Sequence, residues 1–143
     1  MKTLCVLLLV VVSASAYTFT KCSLASTLVS AGVARGDVHK WVCMANAESG
    51  LRTTAHNVNR DGSADHGIFQ INDYWNCDPR NGRKTKNGCK HPCTDFENSS
   101  LSDDVRCMKT LLGWQHHDMA KVSYGYAARC KGVTASYLSG CSY

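Results

Sequence analysis

Two carboxylates in this sequence sit in contrasting company, and such a contrast is what acid-assisted bond cleavage requires. Glu48 closes the stretch 37–50, DVHKWVCMANAESG. There Val38, Trp41, Val42 and Ala45 fall at i, i+3, i+4 and i+7, the apolar stripe of a helix. Asp37, following Gly36, stands where an N-cap belongs. Glu48 lies seven residues after Trp41 and four after Met44, so it projects from the apolar side near the helix end. Poor solvation there favours the protonated form, and a glutamic acid that keeps its proton near neutral pH can act as a general acid. Asp65 has polar neighbours instead: Ser63, His66, and, a little upstream, Asn57 and Asn59. Placed across one cleft, the pair could open a glycosidic bond. The acid would protonate the leaving oxygen, and the ionised carboxylate would stabilise or capture an oxocarbenium-like sugar. The plainer alternatives are a glutamate that bends out to water and a turn aspartate that bonds backbone groups.

The elements that must position these groups follow from the rest of the chain. Lys2, the apolar run 4–12 and the small-x-small Ala14-Ser15-Ala16 read as a secretory signal peptide over 1–16, too short for a membrane anchor. Its removal would leave a single domain over 17–143. Leu24, Leu28 and Val29, with Ala25 and Ala31, predict a helix over about 21–31 ended by Gly32. Asp61-Gly62 is a hairpin signal, and 67–71 reads as a short strand in a small antiparallel sheet. Residues 73–98 are rich in Asn, Gly, Lys and Cys and lack periodicity. Leu101, Val105, Met108, Leu111 and Leu112 predict a helix with Asp103 and Asp104 in its first turn and Gly113 at its end. A last helix is expected over about 121–129. The fold class is α+β: a two-lobed domain, mostly helical, with one small sheet and a stapled loop region.

Of nine cysteines, Cys5 falls in the leader and eight remain: Cys22, Cys43, Cys77, Cys89, Cys93, Cys107, Cys130 and Cys141. An even number in an exported chain argues for four disulfides, whose connectivity spacing alone does not select. No C-x-x-C pair favours a zinc site. The formal charge of +5 suits approach to anionic surfaces such as bacterial envelopes. No Lys/Arg run with interleaved aromatics points to nucleic acid, and no second apolar run points to membrane insertion.

Trp41-Val-Cys43, Glu48-Ser49, Asn59-Arg-Asp-Gly-Ser-Ala-Asp65, Gly67-Ile-Phe-Gln-Ile-Asn72 and the placement of the eight cysteines together resemble the c-type lysozymes over 17–141. The resemblance implies a lysozyme-like fold with Cys22–Cys141, Cys43–Cys130, Cys77–Cys93 and Cys89–Cys107 as its disulfides. It implies Glu48 as general acid and Asp65 as nucleophile or stabilising carboxylate, in a retaining cleavage of the β-1,4 bond after N-acetylmuramic acid in bacterial peptidoglycan. That mechanism is the family's, not a deduction from spacing. Gln70, Asn72 and Trp75 match positions that line the family's sugar cleft. An indole face stacks on a sugar ring, and amides bond its hydroxyl and acetamido groups. Asn59 is placed to hydrogen-bond Asp65, and Trp41, mid-stripe, belongs to the core. The chemistry needs no cofactor. A secreted, extracellular monomer with a defensive or digestive role is expected.

The chain departs from the family's pattern at two places, after Trp75 and in the segment between Cys107 and Cys130, which is longer than the family's. Asn76 stands where many relatives carry a second tryptophan after Trp75. The tryptophan that usually walls the catalytic acid is replaced by Ser123, leaving Tyr124 or Trp114 to supply the wall. Asn98, Asp103 and Asp104 resemble the calcium loop of α-lactalbumin with one charge missing. No metal is assigned, and calcium at these three residues is the alternative. Asn98-Ser-Ser100 is also a glycosylation sequon. His116 and His117 read as exposed loop residues. The rival functions are a non-catalytic, α-lactalbumin-like binding protein and a cationic protein that disrupts membranes.

Overall fold

The computed structural model describes residues 16–143, so the expected leader lies outside the described residues except for its last position. Helix α1, Lys21–Ser30, starts from a reciprocal cap: Ser23 N donates to the Thr20 hydroxyl, and Thr20 N donates to Ser23 Oγ. Helix α2, Val38–Ser49, is the centre of the molecule. The predicted stripe of Val38, Trp41, Val42 and Ala45 is buried, but so are His39, Cys43 and Met44. Burial is wider than one stripe because α1, the C-terminal helical segment and the 3₁₀ turn Ala135–Leu138 all pack on α2. Asp37 precedes α2, but its side chain makes no capping bond. It takes the Lys40 ammonium at 2.8 Å instead.

Strands β1, His56–Val58, β2, Ala64–His66, and β3, Ile71–Asn72, form an antiparallel sheet in that order. His56 pairs with His66, Asn57 with Asp65, and Asp65 with Asn72 on its other side. Asp61 and Gly62 make the β1–β2 turn: Asp61 Oδ1 accepts from Ser63 N and Ser63 Oγ, while Gly62 adopts φ +84°. The strand expected over 67–71 is mostly a turn, and only Ile71 joins the sheet. Gly67 (φ +75°) and Gln70 (φ +54°) curl the chain there. The apolar run is buried because Ile68, Phe69 and Ile71 drop into the core, not because it pairs as a strand.

The loop region 73–98 has one 3₁₀ turn, Cys93–Phe96. Cys77–Cys93 closes it, Cys89–Cys107 ties it to α3 (Ser102–Trp114), and Cys22–Cys141 and Cys43–Cys130 bind the helical lobe. These are the pairings that the resemblance implies. Limiting the unfolded chain in this way is worth typically 2–4 kcal/mol per bridge. Helix α3 runs one residue past Gly113. The last predicted helix is two: α4, Met119–Val122, and α5, Tyr124–Arg129, broken at Ser123 in extended conformation (φ −128°, ψ 119°). Among the described residues, no helix is long and apolar enough to cross a membrane.

Candidate active site

Glu48 sits on the last turn of α2, half-buried. The next residue fixes that end to the sheet lobe. The buried Ser49 hydroxyl lies 2.9 Å from Ala45 O and 2.8 Å from Ile68 O, bridging α2 to the turn that follows β2. The break between α4 and α5 then brings two donors to the carboxylate. Ser123 Oγ makes a short hydrogen bond to Glu48 Oε1, and Gly125 N donates to the same oxygen at 2.9 Å. Ser123 Oγ accepts from Tyr126 N at 3.0 Å as the N-cap of α5, so its own proton is free for Glu48. A side chain at 125 would press on Ala47 Cβ and the Glu48 carboxyl at 3.1 Å, which keeps this position small. Oε2 has no hydrogen-bond partner among the described residues.

Both aromatics expected as a wall lie largely in solvent. Tyr124 is 88% exposed and Trp114 57% exposed. Ser123, the position that lacks the wall tryptophan, touches the acid itself. The signal for this in the sequence is Ser123-Tyr-Gly125: an N-cap residue followed by a glycine in a first turn, whose amide has no partner within the helix.

Asp65, mid-β2, is held on both oxygens. Asn72 Nδ2 donates to Oδ1 at 2.8 Å and Asn59 Nδ2 to Oδ2 at 3.1 Å. Both amides also reach Ser63 Oγ at 3.1 Å, and that hydroxyl donates to Asp61. The expected Asn59–Asp65 bond is thus present. Asn72 Oδ1 accepts from Tyr74 N at 3.0 Å and from Trp75 N at 3.3 Å. Its amide is therefore fully engaged inside the protein. So is that of Gln70, which donates to Ala55 O and Gly67 O and accepts from Asn57. These two amides build the site. Trp75, 58% exposed with Tyr74 packed edge-on at 4.8 Å, is free to stack on a ring.

A cleft of about 510 Å³ runs between the lobes, lined among others by Asn72, Trp75, Trp114, Lys121 and Val122. Neither carboxylate lines this cleft itself; Asn72 on its lining holds Asp65, and Val122 precedes the Ser123 that holds Glu48. Trp114 packs on Gly88, its ring 2.8 Å from where a Cβ there would sit. Lys121 is a cleft residue that sequence reasoning does not assign, and Trp114, expected as a wall for the acid, lines the cleft. A larger cavity, about 660 Å³, opens elsewhere, between Trp41, Tyr126 and Lys109, and contains neither carboxylate.

At the residues of the calcium alternative, one side chain is already engaged. Asn98 closes its own loop: Nδ2 donates to Asp95 O and Oδ1 accepts from Ser100 N. Asp103 leans toward Arg106 at 3.5 Å. Asp104 offers two unpartnered oxygens and is fully buried, and Asp103 makes no hydrogen bond beyond that contact. Burial pushes the Asp104 pKa well above the usual carboxylate range; the residue's own backbone N–H, outside hydrogen-bonding geometry, opposes this, and repulsion from Asp103 and Asp95 adds to it. The folded chain then keeps a proton that the unfolded chain loses above about pH 4. Stability therefore falls as pH rises from there toward the raised folded value. Asp104→Asn removes that penalty. It is expected to raise the melting temperature at neutral pH, with the gain vanishing near pH 3, in thermal melts run with EDTA.

His116 and His117 are exposed and Trp41 is buried, as expected. A family model, C-type lysozyme/alpha-lactalbumin family, matches residues 17–141. The chain belongs to the C-type lysozyme/α-lactalbumin family. It is 38% identical to lysozyme c-1 of Anopheles gambiae, with 99% of each chain covered. It is also 40% identical to human sperm acrosome-associated protein 5, over 93% of this chain and 84% of the relative. The crystal structure of recombinant wild-type canine milk lysozyme (apo-type) superposes with a TM-score of 0.79 at 33% identity, covering 89% of this chain and all of that one. This lysozyme-family fold, with five helices, a three-stranded sheet and four disulfides, is common to lysozymes and to α-lactalbumin, so membership by itself does not settle an activity.

Proposed function

We propose that the chain is a secreted bacteriolytic glycosidase that hydrolyses the β-1,4 bond between N-acetylmuramic acid and N-acetylglucosamine in bacterial peptidoglycan, with retention. Glu48 is the general acid and then base, and Asp65 is the nucleophile or stabilising carboxylate. The observation that carries this reading is the unequal support of the two groups. Asp65 accepts from an amide on each oxygen, the setting of a fixed anion. Glu48 is held by one oxygen only, which leaves Oε2 to carry a proton to the leaving oxygen. Trp75 and Trp114 provide ring-stacking surfaces in the cleft between them. A basic charge of +5 favours capture by an anionic cell wall. Eight paired cysteines suit an oxidising, extracellular setting. The reaction uses no cofactor, and the protein acts as a monomer without entering the membrane or binding nucleic acid. Its role is defence against bacteria or their digestion.

The test is mass spectrometry of purified peptidoglycan incubated with the folded protein from acid to mildly alkaline pH. New reducing ends at muramic acid support the reading. Intact glycan at every pH overturns it in favour of a binding protein of the α-lactalbumin kind. Within the enzyme, Ser123 positions the acid. Ser123→Ala is expected to lower kcat about three- to tenfold with KM little changed, the equivalent of one modest hydrogen bond. It also costs α5 its cap, roughly 1 kcal/mol in a parallel melt.

A further inference from the structure

The back of the sheet holds a second cluster that the hydrolytic site does not use. His66 follows Asp65 in β2, so its side chain takes the opposite face of the strand. It is buried, and both ring nitrogens face carboxylates: Nδ1 lies 2.6 Å from Glu97 Oε1, and Nε2 lies 3.2 Å from Asp73 Oδ2. His56, its direct cross-strand partner, brings Nδ1 to within 2.9 Å of the same Glu97 oxygen. A neutral imidazole has one N–H. With the His66 Nε2–H directed at buried Asp73, its Nδ1 points a lone pair at a carboxylate oxygen. In that tautomer His66 Nδ1 and Glu97 Oε1 present lone pairs to each other, and a cation beside His56 Nδ1 would bridge them.

We propose that His56 Nδ1, His66 Nδ1 and Glu97 Oε1 form a binding site for a borderline-soft divalent ion, zinc first. Two imidazoles and one carboxylate are a zinc donor set, and nitrogen ligands select against calcium and magnesium. The three ligand atoms lie within 4.8 Å of one another. Zinc bonds of about 2.0–2.2 Å need neighbouring ligand atoms about 3.3 Å apart, so the pairs now at 2.6 and 2.9 Å open by a few tenths of an ångström. Asp73 behind His66 is the carboxylate partner that fixes a ligating ring, and it is itself anchored by accepting from Ala64 N at 3.0 Å. The ligands come from β1, β2 and the residue ending the 3₁₀ turn Cys93–Phe96, which Cys77–Cys93 holds. His56 is 46% exposed, which leaves an entry path and room for water as fourth ligand. The ion would clip the hairpin to the loop region from behind the cleft.

The test titrates zinc chloride into the intact, disulfide-bonded protein by calorimetry and follows thermal melts, with cobalt(II) absorption reporting the coordination. Wild type is expected to bind one ion per chain. Its melting temperature should rise by about 9 °C at a hundredfold excess over Kd, and EDTA should reverse the rise. His56→Ala, an exposed change, is expected to weaken binding at least tenfold while leaving the metal-free melting temperature unaltered. Glu97→Gln serves as a second ligand removal. The double change His116→Ala with His117→Ala should bind as wild type does. No binding by wild type, binding by His56→Ala equal to wild type, or loss only in the His116/His117 variant would each overturn the assignment.

Discussion

Glu48→Gln is expected to yield a folded protein that binds bacterial cell walls but no longer clears a suspension of them. The geometry makes this substitution a clean one. The glutamine carbonyl can take the place of Oε1 and keep both hydrogen bonds, from Ser123 and from Gly125. The amide nitrogen then occupies the Oε2 position, where the protein offers no partner that it would offend. What is lost is the transferable proton. General acid–base catalysis contributes about 10²–10⁴-fold, so turbidity-clearing rates should fall by at least 10²-fold at every pH. The melting temperature should stay within a degree or two of wild type. The corresponding change at the other carboxylate would be less informative. Both Asp65 oxygens accept from amide N–H groups, so an asparagine there would set a donor against a donor and disturb the hairpin as well as the chemistry. Equal clearing by wild type and Glu48→Gln, with both folded, would refute the glycosidase mechanism.

Gly67→Ala should have the largest effect on stability. Gly67 turns the chain from β2 into the buried run that ends at β3, with φ +75° and its N–H donating to Ala55 O at 2.7 Å. A Cβ at this position would fall on the carbonyl oxygen of Phe96, itself fully buried. Two costs combine. The left-handed conformation is unfavourable by about 1–2 kcal/mol for a residue with a side chain. The clash is with backbone rather than a flexible tip, so it is relieved only by separating the sheet from the 3₁₀ turn. The sum is expected to reach at least about 3 kcal/mol, a drop of roughly 10 °C in a domain of this size. Thermal unfolding by circular dichroism checks it. A melting temperature within a few degrees of wild type would mean that the turn and the loop region are not locked together.

Much of this architecture is legible in the order of the residues. The period of Val38, Trp41, Val42 and Ala45 marks the central helix, and counting along it places Glu48 on the apolar flank. Asp61-Gly62 marks the hairpin that carries Asp65. The family resemblance implies the cysteine pairs that the structure displays. The features that escape a reading of the sequence depend on tertiary partners. The apolar run 67–71 looks like a strand, because periodicity cannot distinguish a short buried turn from a short buried strand. Residues 121–129 look like one helix, because the cap signal at Ser123 is short and does not announce that the residue will meet Glu48. Asp104, in a helix first turn, has the ordinary look of an exposed acid favoured by the helix dipole, and only packing around α3 buries it. Asn72 and Gln70 have the amides of a sugar-binding site, but those amides are consumed by the protein's own framework.

Asn72 joins two tasks through one side chain. Its nitrogen steadies Asp65, and its oxygen steadies the backbone that presents Trp75. In the proposed enzyme, gripping a sugar and aligning the reactive anion would therefore be mechanically linked. A ring pressing on the indole loads the same lever that sets the angle of the carboxylate. Weak substrates that miss the indole would then be turned over slowly as well as held loosely, so that affinity and speed fall together along a series of shortened glycans.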